Sequence, residues 1–450
     1  MAFAVEAAGK GMSVLVLDDQ ASPGGQIYRN IEAHPSESLK MMGKDYRHGL
    51  CLVKRFRKST STYLNKAVVW KVESDGRVAF SRQGRSHEVQ GKRVIIATGA
   101  MERPVPFPGW TLPGVMGAGG ADALYKKTGM VPEGPVALAG SGPLIYAVAV
   151  HLGKLGVKIS HFLDTTPQLG PVKALDLLPR ALGRAGYLFQ GLGMLARTWK
   201  SAGTVKRGVT RYAAHGGGRL EKISFRCHGR THEFETQSLI VHEGIIPRWD
   251  FARQLHLTHL WEPVQRYWYP RLDPFGRTSE HRIYIAGDGG FVHGAVAAEK
   301  KGRLAALDIA TDLGHISLHE KEFAIKTVMG ALNREIGPRP FIDKAFSPRS
   351  GLYGMDDDTL VCRCEEVTAE KIRTAILQGM VLPEAVKGLT RCGMGPCQSR
   401  ICGPGFMELM AKETGQAPDA LSPLNIRPPV RNLNSTELAE MTLLNTSLGG

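Results

Sequence analysis

Pro135-Val-Ala-Leu-Ala-Gly140-Ser-Gly142-Pro-Leu-Ile145 decides the fold class of this chain. Its apolar run reads as a strand buried on both faces, its glycines as a tight turn, and Leu144 to Leu155 as the helix that follows. A second strand, Val157 to Leu163, ends at Asp164. Working outward, the same unit recurs. Ser13 to Asp18, Arg93 to Gly99, Ser238 to His242 and Arg282 to Ala286 are short buried-strand patterns that end at or beside a glycine or an acid. Ala4 to Gly11 reads as the end of a helix. Strands alternating with helices and glycine turns give an α/β, doubly wound architecture.

The chemistry of such folds lies at the strand ends. Gly140 and Gly142 form a partial G-x-G-x-x-G whose third position is Ile145, so helix and strand cannot approach as closely. Asp164 is its candidate ribose acid. A nicotinamide nucleotide, another adenine nucleotide and an unoccupied relic fold all remain open here. Asp18 stands before Gly24-Gly25, where an acid ending a strand bonds ribose hydroxyls and glycines let backbone approach a flavin nucleotide. An ordinary strand-end aspartate followed by a turn fits the same letters. Gly287-Asp288-Gly289 precedes Gly294-Ala-Val-Ala-Ala298. Asp288 is a candidate partner for a ribityl hydroxyl, and the small residues let the next helix sit close. A capping aspartate in a strand–turn–helix is the alternative.

The second decisive stretch is Cys362-Arg-Cys364, then 27 residues, then Cys392-Gly-Met-Gly-Pro-Cys397. Four thiolates are what a [2Fe–2S] cluster requires, and a C-x-C pair is tight for zinc. Cys362, Cys364, Cys392 and Cys397 are therefore the expected ligands. Cys402 is a spare ligand or a neighbour packed under the cluster, and Cys51 and Cys227 are plain thiols. Seven cysteines with four of them clustered fit a reducing compartment and ligand use, not a disulfide framework.

At 450 residues the chain exceeds one core, so two or three domains are expected. No apolar run is long enough to span a bilayer, and no secretory signal is visible at Met1-Ala-Phe-Ala-Val-Glu6. The expected location is the cytoplasm, with contact to the inner membrane or its quinone as a further expectation. A net charge of +15 invites nucleic acid, but the bases are spread along the chain, so no nucleic-acid partner is expected. Residues 170–206 read as basic and helical, without assignable chemistry.

Together the stretches Pro23-Gly-Gly-Gln-Ile-Tyr-Arg29, Ala97-Thr-Gly-Ala-Met-Glu-Arg-Pro-Val-Pro-Phe-Pro-Gly-Trp-Thr-Leu-Pro-Gly114, Ala139-Gly-Ser-Gly-Pro143, Val361-Cys-Arg-Cys-Glu-Glu-Val367 and Cys392-Gly-Met-Gly-Pro-Cys-Gln398 resemble one family. It is the flavoprotein α subunit of heteromeric amino-acid and opine dehydrogenases. Components of opine oxidase, hydrogen cyanide synthase and proline or hydroxyproline dehydrogenase belong to it. The resemblance covers about residues 1–430. It implies two nested Rossmann-like domains of the disulfide-reductase type, followed by a small helical [2Fe–2S] domain like that of bacterioferritin-associated ferredoxin. The corresponding ranges are 1–110 with 248–315 for FAD, 111–247 for an NAD(P)-binding-like domain, 316–360 for a connection, 361–412 for the cluster and 413–450 for an extended tail. The implied cofactors are FAD and a [2Fe–2S] cluster, with NAD(P) or another adenine nucleotide for the second site. The flavin set becomes Asp18, Gly24, Gly25, Gln26, Thr98, Gly99, Gly287 and Asp288.

The resemblance also implies a glycine-oxidase-like flavoprotein partner that oxidises a C–N bond, and a small third subunit. This chain would carry the electrons onward. A self-sufficient NAD(P)H-dependent reductase and a non-enzymatic cluster scaffold are the rivals. No His or Glu is placed by motif as a substrate base. Family members open with a strand and G-x-G-x-x-G that Met1 follows here, and a start set too far downstream is the expected reason.

Overall fold

The computed structural model describes residues 1–34, 44–439 and 441–443. The flavin-type unit opens with helix α1 (Ala2–Ala8) and strand β1 (Leu15–Asp18). It continues through α2 (Lys44–Arg57), β2 (Thr62–Asn65) and an antiparallel ribbon, β3 (Val68–Val72), β4 (Arg77–Arg82) and β5 (Arg85–Gln90). Then come β6 (Val94–Ile96) and β7 (Ala100–Glu102). β1 pairs with β2 in parallel, starting at Leu15 opposite Thr62.

The nested second unit begins at β8 (Val115–Gly117) and α3 (Ala118–Thr128). The quoted stretch follows as β9 (Val136–Ser141), buried along its whole length, and α4 (Pro143–Lys154). Proline at the first helical position costs no hydrogen bond and presets φ. Next is β10 (Ile159–Asp164). Residues 170–206 form three helices, α5 (Gly170–Lys173), α6 (Leu178–Leu182) and α7 (Ala185–Ser201), but end in strand β11 (Thr204–Arg207). The antiparallel sheet β12 (Val209–His215), β13 (Lys222–Cys227) and β14 (Arg230–Glu235) then precedes β15 (Leu239–Glu243). The parallel sheet runs β11-β10-β9-β15-β8. β9 lies so close to β15 that a Cβ on Gly140 would stand 1.8 Å from the His242 carbonyl oxygen.

β16 (Ile245–Pro247) pairs with β7 and returns the chain to the flavin-type unit. α8 (Asp250–Gln254), the hairpin β17 (His259–Glu262) with β18 (Tyr267–Pro270), and β19 (Ile283–Ile285) follow. β19 pairs in parallel with β6, so Thr98-Gly99 and Gly287-Asp288 emerge from the same end of that pair. α9 (Ala295–Asp312) lies against α1, and a Cβ on Gly302 would come 3.2 Å from the Phe3 nitrogen. α10 (Leu318–Ile336) opens with a Ser317–Glu320 capping box, and α11 (Arg339–Ala345) leads out.

The cysteine unit consists of β20 (Leu360–Cys362), β21 (Val367–Thr368), α12 (Ala369–Leu377), α13 (Pro383–Thr390) and α14 (Cys402–Thr414). Its core, with Val361, Ile372, Val386 and Phe406, is continuous with Trp249 and Trp268 of the larger body. After a 3-10 turn at Pro418–Ala420, residues 421–431 cross the surface without regular structure. Leu421 and Leu424 enter this core, while Ile426 and Val430 enter the core beneath β3–β6. Asp250 anchors the crossing through Arg431 at 2.8 Å. α15 (Ser435–Ala439) and β22 (Thr442–Leu443), parallel to β5, end the described chain.

Candidate functional site

Three turns gather five thiols. β20 delivers Cys362, and the tight turn after it, with Glu366 at φ 51°, carries Cys364. α13 ends on Arg391 in the left-handed region, which swings Cys392 inward. Gln398 and Ser399, at φ 50° and 60°, reverse the chain between Cys397 and Cys402 at the start of α14. Gly395 seats this loop on Cys364, since a Cβ there would stand 2.2 Å from the Cys364 Cβ.

The sulfurs of Cys362, Cys392 and Cys402 lie within 4.8 Å of one another. A cavity of about 330 Å³ beside them is lined by Cys362, Arg363, Cys364, Cys397, Ile401 and Cys402. Cys392 and Cys402 are both fully buried. Spacing alone puts Cys392 among the ligands and leaves Cys402 spare; the geometry puts Cys402 on the cavity wall. Cys51 is exposed on α2, and Cys227 is buried in β13.

Thiol–thiol hydrogen bonds dominate the electrostatics. Donation from Cys392 and Cys402, with the amides of Gly393 and Glu365, pulls Cys362 down to about 2. Cys402 likewise pulls Cys397 down to about 5, with help from the Ile401 amide. Cys402 and Cys392 are pushed up in turn by the thiolate they serve. Iron bound here would replace the protons that these thiols share. An all-sulfur donor set, sulfur-directed amides and an adjoining cavity fit a [2Fe–2S] cluster.

At the flavin end, Thr98 has a buried hydroxyl without a hydrogen-bond partner, directly before Gly99. An unpartnered buried hydroxyl at a strand end fits a missing polar ligand. Gly289 lies beside Gly99, where a Cβ would meet the Gly99 oxygen at 3.3 Å. Asp288 accepts from the amides of His293 at 2.9 Å and Gly294 at 3.0 Å, so it shapes the loop that opens α9. A Cβ on Gly287 would stand 3.1 Å from that of Ala298, the close helix approach expected from the small residues. Asp18 accepts from the Gln20 amide at 2.9 Å and from Tyr63 at 3.2 Å, and burial raises its pKa. Gly24 permits the turn onto Tyr28, whose oxygen would be 2.1 Å from a Cβ, and Gly25 has φ 60°. Gln26 accepts from Arg29 at 2.7 Å.

In the second unit Gly140, Gly142 and Asp164 meet at the carboxyl ends of β9 and β10. Asp164 is buried and already engaged by the Tyr146 hydroxyl and the Thr166 amide, both at 2.9 Å. Beside it His242 bonds Glu102 at 2.6 Å, and Glu243 accepts from Tyr212 and Thr165 at 3.1 Å. Neither pair is legible in the sequence, because each joins residues far apart in the chain.

The two sites are joined through the protein. The Arg248 amide donates to the Gly99 carbonyl at 3.0 Å. Trp249 comes next, and its ring packs on Gly403, where a Cβ would stand 2.9 Å from Cζ2. Gly403 adjoins Cys402. The 97–114 block also meets the cysteine unit: Trp110 donates to the Leu360 carbonyl at 2.7 Å, and Pro106 packs on Gly405.

A family model described as pyridine nucleotide-disulphide oxidoreductase matches residues 1–302, and one described as BFD-like [2Fe–2S] binding domain matches residues 360–412. The opine oxidase A subunit of Rhizobium meliloti is 37% identical over 98% of this chain and 85% of its own. Its counterpart in the opine oxidase of Agrobacterium tumefaciens is 37% identical over 98% and 89%. The HcnB subunit of hydrogen cyanide synthase from Pseudomonas protegens is 28% identical over 92% and 90%. The crystal structure of L-proline dehydrogenase from P. horikoshii shares the fold, with a TM-score of 0.70 at 18% identity, over 97% of this chain and 76% of that one. The two matched families bring FAD and a [2Fe–2S] cluster as cofactors. Among the described residues no helix is long and apolar enough to cross a membrane.

Proposed function

Because the chain belongs to the pyridine nucleotide-disulphide oxidoreductase family and carries a BFD-like [2Fe–2S] domain, we propose that it is the electron-transferring subunit of a heteromeric dehydrogenase that acts on the C–N bond of an amino acid or opine. The observation that carries this reading is the run from Gly99 through Arg248, Trp249 and Gly403 to Cys402. It joins the expected flavin edge to the cluster cavity by one hydrogen bond, one ring contact and two short stretches of chain. FAD accepts electrons in pairs and the cluster passes them singly.

Residue roles follow from position. Thr98 offers its unpartnered hydroxyl to the flavin, and Asp288 holds the loop that aims the N-terminus of α9 toward the same place. Cys362, Cys364, Cys392 and Cys397 hold the cluster, and Cys402, whose sulfur lies within 4.8 Å of those of Cys362 and Cys392, supports them from beside it. Trp249 and Ile401 keep water from the sulfur side.

Engagement of Asp164 by Tyr146 and Thr166 supports electron supply from a partner protein over supply from a nicotinamide nucleotide. The names of the relatives, each one component of a larger enzyme, point the same way. The test is reduction of the FAD- and cluster-loaded chain under anaerobic conditions. Neither NADH nor NADPH should bleach it, whereas an opine or amino acid should do so once the substrate-oxidising partner is added. Bleaching by NADH alone would overturn the division of labour.

A further inference from the structure

The connection between β10 and β11 carries a surface that electron transfer leaves unused. It is a helical excursion, α5 to α7, at the outer edge of the five-stranded sheet. Its α7 has two distinct sides. Met194 and Leu195 pack into the core beneath the sheet, and Thr198 is buried. On the opposite side Phe189, Leu192, Ala196 and Trp199 follow one another at three-, four- and three-residue steps, which is one helical stripe. Phe189 is 73% exposed and Leu192 61%. Val172, Leu175 and Leu182, in the segment just before α7, are also apolar and each more than half exposed.

The unpaired charges around this surface are of one sign. Asp176 is the single acid of residues 169–201, and it is paired with Lys344 at 2.8 Å. Arg184 is likewise matched by Glu335. Lys173, Arg180, Arg197 and Lys200 remain, exposed and paired with no carboxylate among the described residues. A patch of this size without a cover needs an explanation. Large side chains along one stripe, flanked by cations and with no free anion, match the interface of an anionic leaflet. Apolar side chains enter the acyl boundary there, and long basic stems reach phosphate headgroups. A protein partner would instead have to present a ring of anions around an apolar centre, with nothing on this side for its own cations.

We propose that α5 to α7 form a peripheral membrane-docking surface, in which the Phe189–Leu192–Trp199 stripe inserts into a leaflet of anionic phospholipid and Lys173, Arg180, Arg197 and Lys200 hold its headgroups. Docking holds the second unit against the bilayer, and its failure is separable from failure of the electron-transfer reading because it requires no turnover.

The experiment is vesicle flotation of the cofactor-loaded chain, alone and with its substrate-oxidising partner. Phosphatidylcholine vesicles are compared with vesicles containing phosphatidylglycerol, at low and physiological salt. Binding should require phosphatidylglycerol and weaken as salt rises. A variant carrying Phe189→Glu and Leu192→Glu should lose it. Neutralising Lys173, Arg180 and Arg197 to Gln should weaken it about 100-fold, from roughly fivefold per charge. Phe323→Glu, at an exposed ring on α10, should leave it unchanged and controls for surface charge in general. Two results would overturn the proposal. One is binding that the Phe189 and Leu192 changes leave intact. The other is absence of vesicle binding together with loss of the partner complex in the same variant, which would make the surface a subunit interface.

Discussion

At the scale of the residue, the cysteines show what spacing can and cannot say. A C-x-C pair with two further cysteines points to the cluster, since four thiolates also suit zinc but a C-x-C pair is tight for it. Five cysteines lie within 41 positions, however, and the choice among them depends on direction. The fold brings the sulfurs of Cys362, Cys392 and Cys402 within 4.8 Å of one another, and leaves Cys392 and Cys402 equally buried. With Cys392 a ligand, Cys392→Ser should lower anaerobic iron and sulfide from about two each per chain to near zero. Cys402→Ser should keep both and shift only the visible and EPR spectra, because its sulfur lies within 4.8 Å of two ligands. Equal iron loss in the two variants would bring Cys402 into the ligand set.

Two half-buried histidines give the acid behaviour at the same scale. Burial lowers His259 to about 4 and His293 to about 3. Both folded values lie below the unfolded one, about 6.5, so their contribution is complete above pH 6.5 and is lost as pH falls toward 4 and 3. Each loss has a slope of about 1.4 kcal/mol per pH unit. Urea midpoints measured from pH 7 to 5 should fall steeply, and His259→Gln should remove one of the two contributions to the slope. An unchanged slope in that variant would place the acid sensitivity elsewhere.

At the scale of the element, the parallel strands are legible because they are buried on both faces. β9 and β19 read as unbroken apolar runs, and the boundaries observed differ by a residue or two. Strands with one wet face escape the sequence. β14, Arg-Thr-His-Glu-Phe-Glu, turns only His232 and Phe234 inward, which is a weak signal against its charged neighbours. Thr204–Arg207 reads as helix until its pairing is known, because its partner β10 lies about 40 residues earlier. The Ala97–Gly114 block is distinctive in sequence for a reason that only the fold supplies. Its Pro106 and Trp110 form the seat of the cysteine unit, which no local pattern reveals. On the facing side, α14 can pack on Trp249 only because residue 403 is glycine. Gly403→Ala should cost roughly 1–3 kcal/mol through overpacking. It should also slow flavin-to-cluster transfer in single-turnover experiments while the iron content stays at wild-type level. Unaltered transfer would mean that electrons leave by another route.

At the scale of the whole molecule, the two nucleotide-type units are legible from strand-end glycines and acids, but the path between their ends is not. The tail is the largest gap. Its Pro, Asn and Ser suggest only an extended or disordered segment, whereas residues 421–430 enter two separate cores. Ending the chain after residue 420 removes Leu421, Leu424, Ile426 and Val430, each worth about 1.5–3 kcal/mol if fully buried. Such a chain should lose FAD retention and cluster stability together, in a single cooperative melt shifted downward. Loss of the cluster alone would show that the tail serves only the smaller unit.

The same tail sets a timetable for biosynthesis. The core beneath β3–β6 takes its first residues from Ala67 to Ile96 and its last from Ile426 and Val430. At roughly 5–20 residues per second, the ribosome needs about 15–65 s to cover the distance between them. The inner unit, by contrast, has all its sheet strands once β15 has been made. It can close early, while the flavin-type unit waits with exposed strands for residues 421–430. FAD retention should therefore come late in synthesis, after the cysteine unit has been made.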